Sequence, residues 1–410
     1  MRAQGLATDD EGARRKNANR VACQPAGAGE ACRRCQLPSG NEPADMVLLL
    51  GARDANARAA LVKALHVGDI SFTERGDGLL AVPNISAGLD GLRDVLNHDL
   101  SPATIQAVRG ALLPGERVGC PGAVVDALLH AEALEALLSR SEHEWVREAL
   151  RDDWLFSLFQ PIVEARTGKV FAHEALIRAR RPGTNEVIGA GPIIQACERL
   201  DLQHVLDQRA RQSAIRGAAS VLGAANAADG NARVFINFLP NTIYDPEVCL
   251  RTTMETAAEC GVDLARLVFE VVETEQIPDI KRLKVILDYY HARGVGTAVD
   301  DMGAGFSSLR YLTELRPDFV KLDRDLVVRA EKGEDAARGA MDTIIRMAKN
   351  LNIAVIAEGI ETPAQLAVCV GAGVDYLQGF LFARPACPPE AVNRAPFAAP
   401  PVREEMRRAA

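Results

Sequence analysis

Between residues 155 and 385 the chain repeats one alternation: a short apolar run, a longer stretch with helical spacing, then another short run. Eight runs fit: LFQPIV, HEALIRA, RVFINFL, LVFEVVE, GTAVDD, FVKLD, AVIAEG and YLQGFLF. Helical segments lie between them, among them HVLDQRARQSAIRGAASVLG, IKRLKVILDYYHARG and ARGAMDTIIRMAKNLN. Runs this short and apolar suit strands buried on both faces, and helical crossovers make neighbouring strands parallel. The pattern predicts a (β/α)8 barrel, one of the few ways to bury so many strands at once.

Upstream the pattern changes. Residues 1–45 have no aromatic residue and only Leu6, Val21 and Leu37 as large aliphatics, so they are expected to be a disordered tail. Cys23, Cys32 and Cys35 lie there with C-x8-C-x2-C spacing. One CxxC without a second pair is weak evidence for zinc, so free thiols are expected and a zinc site is the alternative. MVLLLGA (46–52) predicts a strand, and DANARAALVKALHVG a helix with Asp54 as N-cap and Gly68 as stop. DISFTERGDGLLAVP predicts a hairpin turning at residues 75–78. SAGLDGLRDVLNHDL and SPATIQAVRGALL predict two helices. A small α/β module over 46–145 results, either a packing cap or a regulatory unit. LLLGARDANARAAL has no Lys-Ser/Thr after a second glycine and so is no phosphate-binding P-loop. The barrel is expected over 146–395, and the proline- and alanine-rich 396–410 as a flexible tail.

A formal net charge of -8 argues against sequence-independent binding to DNA or to an anionic membrane surface. No apolar run approaches the ~18 residues of a membrane-spanning helix. The first residues lack the apolar core of a secretory signal, so a cytoplasmic protein is expected. Nine scattered cysteines argue against a disulfide framework.

Function in a parallel barrel gathers where strands end. There the chain sets Glu174, Asn237, Glu270, the pair Asp300 and Asp301, Lys321 with Asp323, Glu358 and Gln378. Glu273 follows just past a strand, and two-residue periodicity puts Leu176 and Arg178 on the face of Glu174. A single acid at a strand end is ordinarily a cap or half of an ion pair. Five carboxylates at one mouth repel each other and are driven to take up protons. Lys321 and Arg178 are too few to neutralise them; divalent cations are not. Carboxylate and amide oxygens favour Mg²⁺ or Mn²⁺ over zinc. Asp300 and Asp301 are adjacent and would point to opposite faces of a regular strand. A turn made easy by Gly303 and Gly305 is expected to bring both inward, with Asp300 shared between two ions and Asp301 at the outer one. Such a two-metal site suits attack on phosphorus, with Lys321 as a proton-handling or charge-stabilising group.

The segments FQPIV, HEALIRAR, FINF, FEVVETE, DDMGAGFSSLRYL, RPDFVKLD, IAEGIET and LQGFLFARP resemble, in order and spacing, the EAL-domain phosphodiesterases of bacterial cyclic di-GMP signalling, over residues 150–388. The resemblance implies a modified TIM barrel whose first strand runs antiparallel, and hydrolysis of cyclic di-GMP to linear pGpG with two Mg²⁺ or Mn²⁺ ions. It implies Glu174, Asn237, Glu270, Asp300, Asp301 and Glu358 as metal ligands, with Glu174, Lys321 and Glu358 catalytic. Gln160, Leu176, Arg178, Asp323 and Gln378 correspond to substrate contacts, and Glu273 to the anchor of the DDMGAG loop. A homodimer through the barrel is also implied. The chain departs from the family pattern at Met302 (often Phe), Ala304 (often Thr) and Val272 (usually Thr), positions tied to loop placement and dimer coupling. A non-hydrolytic cyclic di-GMP receptor acting through a protein partner is the alternative, and an unrelated Mg²⁺ barrel enzyme acting on carboxylates a third reading. Lys321 together with the full acid set favours the enzyme over the receptor.

Overall fold

The structure is a computed structural model in which residues 46–76, 78–83, 89–225, 232–272, 280–303 and 308–398 are described. The N-terminal module holds five strands: β1 (Met46–Ala52), β2 (Thr73–Glu74), β3 (Leu80–Val82), β4 (Val108–Pro114) and β5 (Glu132–Ala133). They form one antiparallel sheet in the order β2-β3-β1-β4-β5. With the helices Ala55–Val67 and Asp90–Asp99 between its strands, this is the split βαβ arrangement. Asp54 caps the first helix, its Oδ1 accepting from the Ala57 amide at 2.8 Å. The helix ends at Gly68, as its sequence predicts.

The segment SPATIQAVRGALL is not the full helix its spacing predicts. Only Pro102–Ala107 is helical, and Val108–Pro114 is the interior strand β4, paired along all seven residues of β1. Ile105, Val108 and Leu112 satisfy a helical period, but alternation wins because Val108 and Gly110 pack inward against the helical layer. A Cβ at Gly110 would lie 2.6 Å from Leu137 Cδ1, so glycine makes room for the side chains of the helix Leu134–Ser141 against the sheet.

A helix over Trp145–Arg151 leads into the barrel, burying Val146 and Leu150 against Leu155 and Ala179. The barrel strands are β6 (Leu155–Glu164), β7 (Val170–Arg180), β9 (Arg233–Asn237), β10 (Leu267–Val272), β11 (Gly296–Met302), β12 (Phe319–Leu322), β13 (Ala354–Ala357) and β14 (Tyr376–Gln378). A two-residue strand β8 (Val187–Ile188) pairs with the end of β7 outside the closed ring. Pairing of β6 with both β14 and β7 closes the ring, and both contacts are antiparallel while the other barrel pairs are parallel. The barrel with its first strand reversed is therefore observed. All eight apolar runs become strands. Past β14 the chain folds back, and Phe397 stacks on Phe382 at 5.4 Å, so packing continues through residue 397.

One apolar layer plugs the barrel: Ile162, Ala172, Phe235, Val268, Ala298, Phe319 and Ile356 are buried together, with Tyr376 against them. Each of the eight strands contributes one of these side chains. This floor sets the depth of everything above it.

Candidate functional site

Inward-facing positions recur every second residue. Two residues beyond each floor residue, toward the parallel strands' C-terminal ends, stand Glu174, Asn237, Glu270, Asp300, Lys321, Glu358 and Gln378; β6 runs the other way and supplies Gln160. The site is thus one complete polar layer resting on one complete apolar layer.

Lys321 is the hub and is fully buried. Its Nζ lies 2.5 Å from Glu358 Oε1, 3.1 Å from Glu270 Oε2, 3.3 Å from Asp300 Oδ1 and 3.5 Å from Glu174 Oε2. Asn237 Nδ2 donates to Glu270 Oε1 at 2.8 Å and to Glu174 Oε1 at 3.1 Å. Gln378 Nε2 donates to Glu174 Oε2 at 2.6 Å and to Gln160 Oε1 at 3.2 Å, and Gln160 Nε2 donates to the Ala383 carbonyl at 3.3 Å. The two glutamines therefore brace Glu174. Gln378 Oε1 is buried with no hydrogen-bond partner among the described residues.

The backbone solves the problem of adjacent acids differently from the glycine turn expected. Strand β11 runs through both aspartates to Met302, and its register against β12 slips between Val299 and Met302. Asp301 itself takes a left-handed conformation, φ 57°. Aspartate is among the few non-glycine residues that enter that region readily. The bulge turns Asp301 toward the mouth, and its amide donates to Asp300 Oδ1 at 2.9 Å. Gly303 follows at φ 105°; Gly305 lies outside the described residues.

Two carboxylate triads result. Glu174, Glu270 and Asp300 form a buried one, and Asp300, Asp301 and Glu358 a shallower one; within each, oxygens lie within 4.8 Å of one another. Asp300 belongs to both. Burial alone would push the Lys321 ammonium down, but Asp300, Glu174, Glu270 and Glu358 outweigh it and hold the group well above the ordinary lysine value. Burial raises the carboxyls of Glu270 and Glu358 well above the ordinary range despite Lys321, and neighbouring acids add to it. Burial raises Asp300 as well. Half-buried Asp301 is pushed up to about 6 by burial, Asp300 and Asp323. Glu174 goes the other way: burial pushes it up, but Lys321 and hydrogen bonds from Gln378, Glu270 and Asn237 bring it below its usual value. One ammonium is too little for five acids. An all-oxygen cluster holding surplus protons in this way fits hard divalent cations, and the acid-rich site is one that could bind metal.

A carboxyl raised in the folded state binds its proton more tightly there than in the unfolded chain. Its contribution is complete below the unfolded value and is lost as pH rises toward the folded one. Four site carboxyls are raised and one is lowered. Without metal the protein is therefore expected to lose stability as pH rises from about 4 through the value near 6 of Asp301 and beyond. With Mn²⁺ the trend should reverse, because the ion needs ionised ligands. Denaturation midpoints at low and high pH, with chelator and with Mn²⁺, check this.

Leu176 and Arg178 lie outside the cluster, half-buried further along β7. Four residues of strand put Arg178 about 13 Å beyond Glu174. Its Nη1 donates to the neighbouring Ile177 carbonyl at 2.7 Å. Asp323 Oδ1 caps the helix Arg324–Glu331, accepting from the Asp325 amide at 2.9 Å. Glu273, Ala304, Cys23, Cys32 and Cys35 lie outside the described residues. The six described cysteines are free. Among the described residues no helix is long and apolar enough to cross a membrane. Sequence reasoning named every acid of the site but missed the bracing of Glu174 by the glutamine pair. Two glutamines on the first and last barrel strands, each two residues from the floor, are the signal that could have found it.

A family model described as EAL domain matches residues 143–385. The chain is similar to the cyclic di-GMP phosphodiesterase NbdA of Pseudomonas aeruginosa, 33% identical over 244 residues that cover 59% of this chain and 30% of NbdA. It is also similar to the cyclic di-GMP phosphodiesterase PdeL of Escherichia coli, 29% identical over 230 residues that cover 55% of this chain and 61% of PdeL. It thus spans less than two thirds of either relative. Among solved structures, a standalone versatile EAL protein from Vibrio cholerae in its c-di-GMP bound form is 33% identical, with a TM-score of 0.52 over 60% of this chain and 98% of that one. The PaMucR phosphodiesterase in complex with c-di-GMP is 27% identical, with a TM-score of 0.53 over 60% and 96%.

Proposed function

Because the chain belongs to the EAL-domain family, we propose that it is a metal-dependent phosphodiesterase that opens cyclic di-GMP to linear pGpG. The observation that carries this reading is the sharing of Asp300 between two carboxylate triads around an intact Lys321. Glu174, Glu270, Asn237 and Asp300 would hold one Mg²⁺ or Mn²⁺ ion, and Asp300, Asp301 and Glu358 a second. Bound there, the ions supply a water nucleophile of lowered pKa and charge for the phosphate in its transition state.

The chain's own residues do the rest. Lys321 stays protonated, so it offers a hydrogen-bond donor and a fixed positive charge beside the reacting phosphate. Asn237 turns its amide nitrogen to two glutamates, which leaves its carbonyl oxygen as the atom for an ion. Lys321 is the main group that keeps Glu174 ionised, and Gln378, itself held by Gln160, adds to this and aims the carboxylate, which makes the two glutamines orienting groups as well as candidate substrate contacts. Arg178, on the inward face of β7 beyond Glu174, has a side chain long enough to reach back toward the mouth and offers the guanidinium for the second phosphate while the first lies over the acids. The apolar floor closes the pocket from below and limits water to the mouth. The N-terminal module is assigned a regulatory role and the barrel a homodimeric state on the resemblance alone.

Chromatography of cyclic di-GMP incubated with the purified chain and Mn²⁺ tests the reading. Metal-dependent appearance of pGpG is expected. Nucleotide that binds but is returned uncut would instead make the chain a receptor signalling through a partner.

A further inference from the structure

Glu358 follows strand β13 and is held in line by one backbone bond, its amide donating to the Leu322 carbonyl at 3.2 Å. The chain then turns at Gly359, φ 63°, where a Cβ would stand 2.2 Å from Arg324 Cγ, 2.6 Å from its Cδ and 2.7 Å from its Cβ. The aliphatic stem of Arg324 therefore lies flat across the turn that aims Glu358. Its guanidinium reaches over to Glu361, Nη2 to Oε1 at 3.0 Å. On the opposite side the turn is stitched to the segment after β14. The Ile360 amide donates to the Gln378 carbonyl at 3.0 Å and the Leu381 amide to the Ile360 carbonyl at 2.9 Å. Gly379 permits this: a Cβ there would fall 2.1 Å from the Ile360 oxygen. Below, Gln365 Oε1 accepts from the Glu361 amide at 2.7 Å.

We propose that Arg324 is a positioning residue for the outer metal site, its stem clamping the Gly359 turn so that Glu358 faces Asp300, Asp301 and Lys321. The proposal rests on the metal-site reading of Glu358. Arg324 is itself fixed, being the first residue of a helix capped by Asp323. Its pair with Glu361 is largely exposed, and such a pair adds little to fold stability. The function is therefore local: a side chain behind a ligand, orienting it.

The test compares wild type, Arg324→Ala and Arg324→Lys in the full chain by Mn²⁺ titration with EPR detection, kcat and KM for pGpG release, and melting of the metal-free protein. Lysine keeps the stem and gives up the planar fork. Arg324→Ala is expected to weaken the second Mn²⁺ by about tenfold and lower kcat by about tenfold, with KM nearly unchanged. Arg324→Lys should stay within about threefold of wild type, and melting of both variants close to it. Wild-type Mn²⁺ affinity in Arg324→Ala overturns the clamp, and so does a lysine variant as weak as the alanine one. Failure of wild type to make pGpG would sink the phosphodiesterase reading while the Mn²⁺ titration still decides the clamp. A wild type that takes up no Mn²⁺ overturns both.

Discussion

Lys321→Met is expected to destabilise the metal-free protein by about 3–5 kcal/mol at high pH, the usual consequence of removing one partner from a buried charge pair. Methionine fills nearly the same volume, so the loss is electrostatic. The reason lies in the geometry: four carboxylates stand within 3.5 Å of the ammonium, and burial leaves them little water. Without the ammonium they hold still more protons, so the deficit should shrink as pH falls and grow as it rises. Mn²⁺ should restore much of the stability, because a divalent ion supplies the missing charge. Turnover should not return with it; losing a positioned hydrogen-bond donor and fixed charge lowers kcat by about 10²–10³-fold. Urea denaturation with and without Mn²⁺, run beside the pGpG assay, separates the two effects. A variant as stable as wild type in chelator at high pH would show that Lys321 does not hold the acids together.

Asp300→Asn should have the opposite profile. Asparagine keeps the shape and can still accept the Asp301 amide through Oδ1, so the bulge that aims Asp301 survives. Removing one negative charge from a crowded site relieves repulsion, so the metal-free protein should be as stable as wild type or more so. Yet Asp300 belongs to both triads, and no other side chain does. Turnover should fall by about 10³-fold or more, roughly 4 kcal/mol in barrier height, because both ion sites are weakened together. Glu174→Ala, by contrast, strips one triad and also removes the nearer of the two acceptors of Gln378. Near-normal turnover in Asp300→Asn would mean that the ions sit elsewhere.

Much of this site could be read in the chain because two periodicities coincide. A floor residue and a site residue are always two apart, as in Phe235 and Asn237, Val268 and Glu270, or Phe319 and Lys321. An apolar run with a polar residue near its end states which face is inward and how deep the polar layer lies. What could not be read are features set by closure. Nothing local marks Val108–Pro114 as a strand, since its residues also fit a helix; pairing along β1 decides it. The conformation of Asp301 depends on a register slip against β12, a relation between two strands that neither strand's own residues state. The bracing of Glu174 joins Gln160 and Gln378, 218 residues apart, and exists only because the ring closes through β6 and β14. Arg324 and Gly359 meet because the paired strands β12 and β13 carry them to one rim.

The central claim is that the oxygen layer above the barrel floor takes up two divalent ions that share Asp300. Titrating the metal-free protein with Mn²⁺ while recording the EPR spectrum addresses it most directly. Two ions bound per chain, with the exchange-coupled signal of a close pair that disappears in Asp300→Asn, are the expected result. A single isolated Mn²⁺ signal, or uptake that Asp300→Asn leaves unchanged, would contradict it.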